Sequence, residues 1–214
     1  MRYEKGHKDA TRRHIVAVAG QRFREDGVGA VGVAAVMAEA GLTHGGFYAH
    51  FRSKDDLVRE ALGEALAGTL TRLEDAAAEG GGVDGIIDAY LAPGHRDDPG
   101  HGCAVACLTS DIARHAGPTR EAAADYTRRV TDLIATHLPA PDGGRDGGRN
   151  GGRDGDADTG RETAEALFAL MVGTLQLARM VPDRTQSDRI LLSGASVARM
   201  LAAEGRAPSN RETT

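Results

Sequence analysis

The sequence has no tryptophan, two cysteines, four phenylalanines and four tyrosines, and no apolar run long enough to cross a bilayer. Each shortage removes a class of protein. Cys103 and Cys107 are too few for a disulfide framework and are expected as thiols in a reducing compartment. A spanning helix needs about 20 consecutive apolar residues, which excludes a transmembrane protein. The stretch Met1–Thr11 is charged where a secretory signal would be apolar, so a cytoplasmic protein with no membrane partner is expected. With aromatics at 4% and little alternation of Val, Ile, Phe and Tyr, sheets are disfavoured, whereas abundant alanine suits closely packed helices. The fold class expected is all-α.

Charge is scarce in one sense and not in another. The net charge of −5 argues against a nucleic-acid partner, but its distribution argues for one. Through Glu60 ten basic residues stand against eight acidic ones, a surplus of two that leaves the remainder at −7. The basic end is the one suited to phosphate.

Within that end lies Gly41-Leu42-Thr43-His44-Gly45-Gly46-Phe47-Tyr48-Ala49-His50-Phe51-Arg52-Ser53-Lys54. Thr43 stands where it would cap a short helix, with Leu42, Phe47 and Phe51 inward and His44, Tyr48, His50 and Lys54 outward. Val33, Val36 and Met37 form a preceding apolar stripe, and Gly41 supplies the tight stop between two crossing helices. This is the pattern of a helix-turn-helix. A helical hairpin with Phe47, Tyr48 and Phe51 filling a core has the same periodicity. The exact residues decide: Gly41-Leu42-Thr43, Phe47 to Phe51, and Ser53-Lys54-Asp55-Asp56-Leu57 resemble the signature of the TetR family of bacterial transcriptional regulators. The resemblance is detailed from Thr11 to Leu62 and rests on helix pattern beyond. It implies that Thr43, Tyr48, His50 and Lys54 lie on or near the sugar-phosphate backbone, with His44 and Gly45 nearest the bases and Phe47 in the core. Gly45-Gly46 departs from the commoner family sequences, which place bulkier residues there.

The rest of the chain reads as helices and breaks. A first helix begins between Lys8 and Thr11 and ends at Gly27, since Ile15, Val16, Ala19 and Phe23 recur at helical spacing. Ser53 caps a long helix with Asp55 and Asp56 in its first turn, running to Gly80-Gly81-Gly82. A short helix over Val83–Leu91 is closed by Pro93-Gly94, and His95–Gly102 is expected as a loop. Helices follow over Cys103–His115 and from Pro118 to Leu138. The Gly-Gly-Arg repeats interleaved with acids over residues 139–160 predict a disordered linker rather than a nucleic-acid-binding tail, because the acids cancel the charge. Helices over Arg161–Val181 and Gln186–Ala203 are apolar on more than one face, which requires a second partner besides the domain itself. Gly173, Gly194, Ala195 and Ala198 would allow close approach there. The family resemblance implies a two-fold dimer seam at this pair. The expected organisation is a DNA-binding domain over 1–52, a sensing and dimerisation domain over 53–206, and a polar tail over 207–214.

Enzymatic chemistry finds no support. Ser110 and Asp111 diverge by about 100° on one helix and cannot converge on His115 as a hydrolase triad must. His95, His101, Cys103 and Cys107 match no dedicated zinc spacing, so no metal and no cofactor are expected. Cys103 follows Gly102 at the opening of a helix, where backbone N–H groups favour a thiolate. Cys103 and Cys107 are therefore candidates for redox or electrophile sensing, as in some regulators that resemble this chain. The bland reading is two small core residues. The expectation is a homodimeric repressor of double-stranded operator DNA, released by an unidentified small-molecule inducer or a reactive electrophile. The alternative is a helical small-molecule-binding protein or enzyme that never touches DNA.

Overall fold

The computed structural model describes residues 3–115, 117–139 and 153–204, and among them every regular element is helical. In chain order these are α1 (Tyr3–Asp26), α2 (Val33–Glu39), a 3-10 turn (His44–Ala49), α3 (Lys54–Ala76), a π turn (Ala77–Gly81), α4 (Gly82–Tyr90), α5 (Pro93–Asp97), a 3-10 turn (Pro99–His101), α6 (Ala104–Arg114), α7 (Gly117–His137), α8 (Arg153–Met180) and α9 (Arg184–Glu204). The all-α expectation holds. The chain forms two compact units, one of Met1–Leu70 with Asp97–Tyr126, the other of Thr71–Arg96 with Thr127–Thr214.

In the first unit Ile15, Val16, Ala19 and Phe23 of α1 are buried on one stripe, as 3.6-residue periodicity dictates. They serve a core shared with Val36 and Met37 of α2, Leu57, Val58, Ala61 and Leu62 of α3, and Leu108 and Ile112 of α6. α1 packs directly against both α2 and α6. Between α2 and the first 3-10 turn the backbone reverses at Gly41, whose φ of 71° is the left-handed conformation that glycine adopts without a Cβ penalty. The N–H of Leu42 then closes on the carbonyl of Met37 at 2.8 Å. Gly100, in the second 3-10 turn, is a different case. Arg24 Nε donates to its carbonyl at 2.6 Å, and a Cβ there would collide with the Glu25 carboxylate and lie 2.9 Å from Gln21 Cγ. The turn therefore docks on α1 without a gap.

The second unit is built on α8 and α9, which pack together and bury Leu167, Phe168, Met171 and Leu175 of the first and Leu191, Ala195 and Ala198 of the second. Gly194 is buried there against Thr174. Arg96, 5% exposed, donates to Ser187 Oγ at 2.9 Å and pairs with Asp188 at 2.5 Å, which compensates a cation that would otherwise be costly to bury. Leu177 and Met180 of α8 and Leu192, Val197 and Met200 of α9 remain exposed.

Several boundaries differ from those expected. α1 begins at Tyr3, and α8 begins at Arg153 inside the segment expected as linker. Propagating an established helix costs little per residue, so poor formers are recruited at its ends. Residues 140–152 of that linker and the tail over 207–214 lie outside the described residues. The loop expected over His95–Gly102 carries most of α5 and a 3-10 turn instead. Pro93 and Pro99 each sit in the first turn, where a missing N–H costs nothing, so they start these elements rather than stop them.

Candidate nucleic-acid interface

The turn after Gly41 is 3-10 rather than α-helical. Two adjacent glycines weaken α-helix propensity there, and 3-10 geometry is common in such short pieces. Thr43 occupies the N-cap position in extended backbone, but its side chain makes no capping hydrogen bond. Phe47 and Phe51 are buried, and their rings stack at 5.4 Å between centroids. That pair anchors the turn on the core. Facing away from it are Thr43, His44, Gly45 and Tyr48, the last 70% exposed and set edge-on to Phe47 at 5.3 Å. A large amphipathic ring held in water by a rigid base is poised for contact with something else.

Neither glycine of the turn is required by the protein. A Cβ at Gly45 would meet nothing within 4 Å, and one at Gly46 nothing closer than 3.7 Å, from Met37 Cε and Thr43 Oγ1. The effect of the pair is to lower the outer surface of the turn to bare backbone.

The two flanking basic positions are less outward than their spacing predicts. Lys54, half-buried at the start of α3, donates its ammonium to the Val28 carbonyl at 2.6 Å, leaving two of its three donors available. His50 is half-buried, and its Nδ1 is enclosed with no hydrogen-bond partner. Burial, followed by the nearby Lys8 and Arg12 cations, holds its imidazole below the ordinary histidine pKa.

Arg12 is the supporting residue that sequence reasoning missed. Its guanidinium donates to Glu60 Oε2 at 3.0 Å, to the main-chain carbonyl of His50, and lies 4.4 Å from the centre of the Phe51 ring. One planar fork thus ties α1, the end of the turn and α3 together. The partners lie 38 and 48 residues away in sequence, beyond any local pattern. At the start of α3, Asp56 N–H donates to Ser53 Oγ at 3.1 Å while Arg52 N–H donates to Asp56 Oδ2 at 3.2 Å, a reciprocal cap that bears out Ser53 as the N-cap. The Arg52 N–H and then the Arg59 side chain hold the Asp56 carboxyl below its usual range.

The other sequence candidates lie elsewhere in the first unit. Cys103 is at the N-cap of α6, as its spacing predicts, but it is wholly buried, with Sγ 3.5 Å from Tyr126 Oη. Cys107 is half-buried and donates to the Pro99 carbonyl at 3.6 Å. Among the described residues no three His, Cys, Asp or Glu side chains gather as a metal site, and no helix is long and apolar enough to cross a membrane.

A head of packed helices, a left-handed glycine between two short elements, and an exposed His- and Tyr-bearing turn define a helix-turn-helix protein of the DNA-binding class. Residues 15–61 match the sequence profile of the bacterial regulatory proteins of the tetR family. Solved structures share the fold over most of their length. The reduced form of NemR from E. coli is 23% identical, with a TM-score of 0.69 over 89% of this chain and 96% of that one. A TetR-family transcriptional regulator from Streptomyces coelicolor is 21% identical, with a TM-score of 0.67 over 90% and 96%. The regulator FadR from Bacillus subtilis, in complex with stearoyl-CoA, is 17% identical, with a TM-score of 0.61 over 89% and 97%. No curated protein matches the sequence.

Proposed function

We propose that the chain is a homodimeric, ligand-responsive transcriptional repressor that binds double-stranded operator DNA through the turn His44–Ala49. The observation that carries this reading is the exposed face of Thr43, His44, Gly45 and Tyr48 on an anchored base of Phe47 and Phe51. A major groove admits one such element, with phosphates held at its flanks. Thr43, Tyr48, His50 and Lys54 are assigned to the backbone, and His44, Gly45 and Gly46 to the base edges. With glycine at two of those three positions, the turn reads by close approach more than by side-chain hydrogen bonds.

Residues 1–52 are the DNA-binding domain on this reading, and 53–206 sense and dimerise. The exposed apolar side chains Leu177, Met180, Leu192, Val197 and Met200 support a seam between subunits on α8 and α9. Gly194, Ala195 and Ala198 are already buried within the protomer, so the seam lies on the neighbouring face of α9. Release follows if an inducer binds better to a conformation with lower DNA affinity. A similar fold that binds stearoyl-CoA supports a small-molecule inducer. Sensing through Cys103 requires α6 to open first, because that thiol has no exposed surface; Cys107 is the more accessible of the two. Equal operator release by an electrophile from wild type and from Cys103→Ser and Cys107→Ser would remove both cysteines from the mechanism.

The test is a binding isotherm with a duplex from the promoter-proximal DNA of the chain's own gene at several salt concentrations. Saturable binding that weakens log-linearly with salt is expected. Its absence would favour the helical binding protein or enzyme that never touches DNA.

A further inference from the structure

His50 carries more information than its assignment as a backbone contact. Its Nδ1 is enclosed without a partner while the residue as a whole is only half-buried, which leaves Nε2 as the ring nitrogen able to meet a partner from outside. A doubly protonated imidazole would place an N–H at Nδ1 where no acceptor stands, and a buried unsatisfied donor is among the costlier defects in a folded protein. The charged groups facing the ring point the same way. From α1 these are Lys8 and Arg12, both cations; from α3 the carboxylate of Glu60 is taken by the Arg12 guanidinium. Arg12 also grips the main-chain carbonyl of His50 and covers the Phe51 ring, which fixes the backbone from which the imidazole projects.

We propose that His50 meets the DNA backbone as a neutral imidazole, with Nδ1 bare and the single proton on Nε2, and that Arg12 is the positioning residue that fixes this geometry. The proposal rests on the DNA-binding reading above. It makes His50 a directional hydrogen-bond donor rather than a charge, so the number of phosphates neutralised at the interface does not include it. The depressed imidazole pKa agrees with this and is not needed for it.

The decisive observation is nitrogen NMR of the full chain labelled with 15N-histidine and bound to the same promoter-proximal duplex, at about pH 6 and pH 8, conditions that bracket the ordinary histidine pKa. His50 is assigned by the resonances missing in His50→Gln. A protonated Nε2 and an unprotonated Nδ1 at both pH values are expected. Two protonated nitrogens at the lower pH would overturn the proposal. Binding isotherms give an independent reading. His50→Gln retains a neutral donor and is expected to keep the salt slope, with affinity within about threefold at both pH values, whereas His50→Phe loses about tenfold at an unchanged slope. A wild-type affinity that rises at low pH and flattens in His50→Gln would contradict a neutral donor.

For Arg12, both Arg12→Lys and Arg12→Ala should weaken binding without altering the slope, because a single ammonium cannot reproduce the fork. A slope reduced by about one would mark Arg12 as a phosphate contact instead. Should those variants unfold, Glu60→Gln loosens the same clamp and is expected to lower affinity in the same way; full affinity in Glu60→Gln would refute the positioning role. Absence of any wild-type binding would bring down the DNA-binding reading and this proposal together. Binding with a doubly protonated His50 would bring down this one alone.

Discussion

The turn His44–Ala49 and the α8–α9 pair both leave large side chains in water, but they do so in opposite ways. In the turn one exposed aromatic, Tyr48, stands among glycine, histidine and threonine on a base fixed by Phe47, Phe51 and Arg12. On α8 and α9 the large exposed side chains, Leu177, Met180, Leu192, Val197 and Met200, are all aliphatic or thioether, with the smaller exposed Ser193 and Ser196 beside them on α9. The first surface has donors and a backbone lowered by glycine, which suits a polar, charged partner. The second offers mainly apolar area edged by small hydroxyls, which suits another surface of its own kind. Residue chemistry, rather than exposure, separates a DNA face from a subunit face.

The largest expected effect comes from breaking the second surface. Leu192→Glu or Met200→Glu adds a carboxylate to the proposed seam, and light scattering should show monomer with an unchanged helical spectrum. Operator affinity should then fall by about 100-fold or more, because linked heads gain about 10²–10⁴ from effective concentration. A dimer that survives both substitutions would move the seam elsewhere. Ala195→Glu sharpens the same comparison: that side chain is buried inside the protomer, so it should lower the melting temperature as well as any association.

Smaller effects are expected on the first surface. Lys54→Ala should lower affinity for all sequences alike and reduce the salt slope by about one. It should also loosen the contact to Val28. His44→Ala should instead narrow the gap between specific and nonspecific DNA, by about 1–3 kcal/mol if it contacts a base edge. Asp56→Asn should destabilise the start of α3 at neutral pH. Because the folded carboxyl lies below its usual pKa, the wild-type advantage is present above the unfolded value of about 3.9 and fades as pH falls through the folded one. Smallest of all is Gly45→Ala. With open space around the new Cβ it should stabilise the fold by about 0.5–1 kcal/mol while altering operator preference.

How far the sequence reveals these features follows from their range along the chain. The apolar stripe of α1, the Gly41 reversal and the Ser53 cap depend on residues within a few positions of one another, and all three are legible in the letters. Tyr48 was legible as outward for the same reason. The partial burial of His50 and the engagement of Lys54 were not, since they depend on Lys8, Arg12 and Val28 arriving from distant segments. Nor was the 3-10 form of the turn. The two glycines foretell a weak helix there, but not which hydrogen-bond pattern it takes. On α9 the small residues read as an intersubunit contact, yet Gly194 packs against Thr174 of its own chain. Periodicity shows that a face is apolar and says nothing of whose surface covers it.

Photo-crosslinking distinguishes a turn that faces DNA from an α8–α9 surface that faces a second copy. A photoreactive phenylalanine analogue is placed at Tyr48 in one preparation and at Met200 in another, both exposed in the protomer. Each preparation is irradiated in the presence of the promoter-proximal duplex. A protein–DNA adduct from position 48 and a chain-to-chain adduct from position 200 are expected. A DNA adduct from position 200, or a chain-to-chain adduct from position 48, would contradict this assignment.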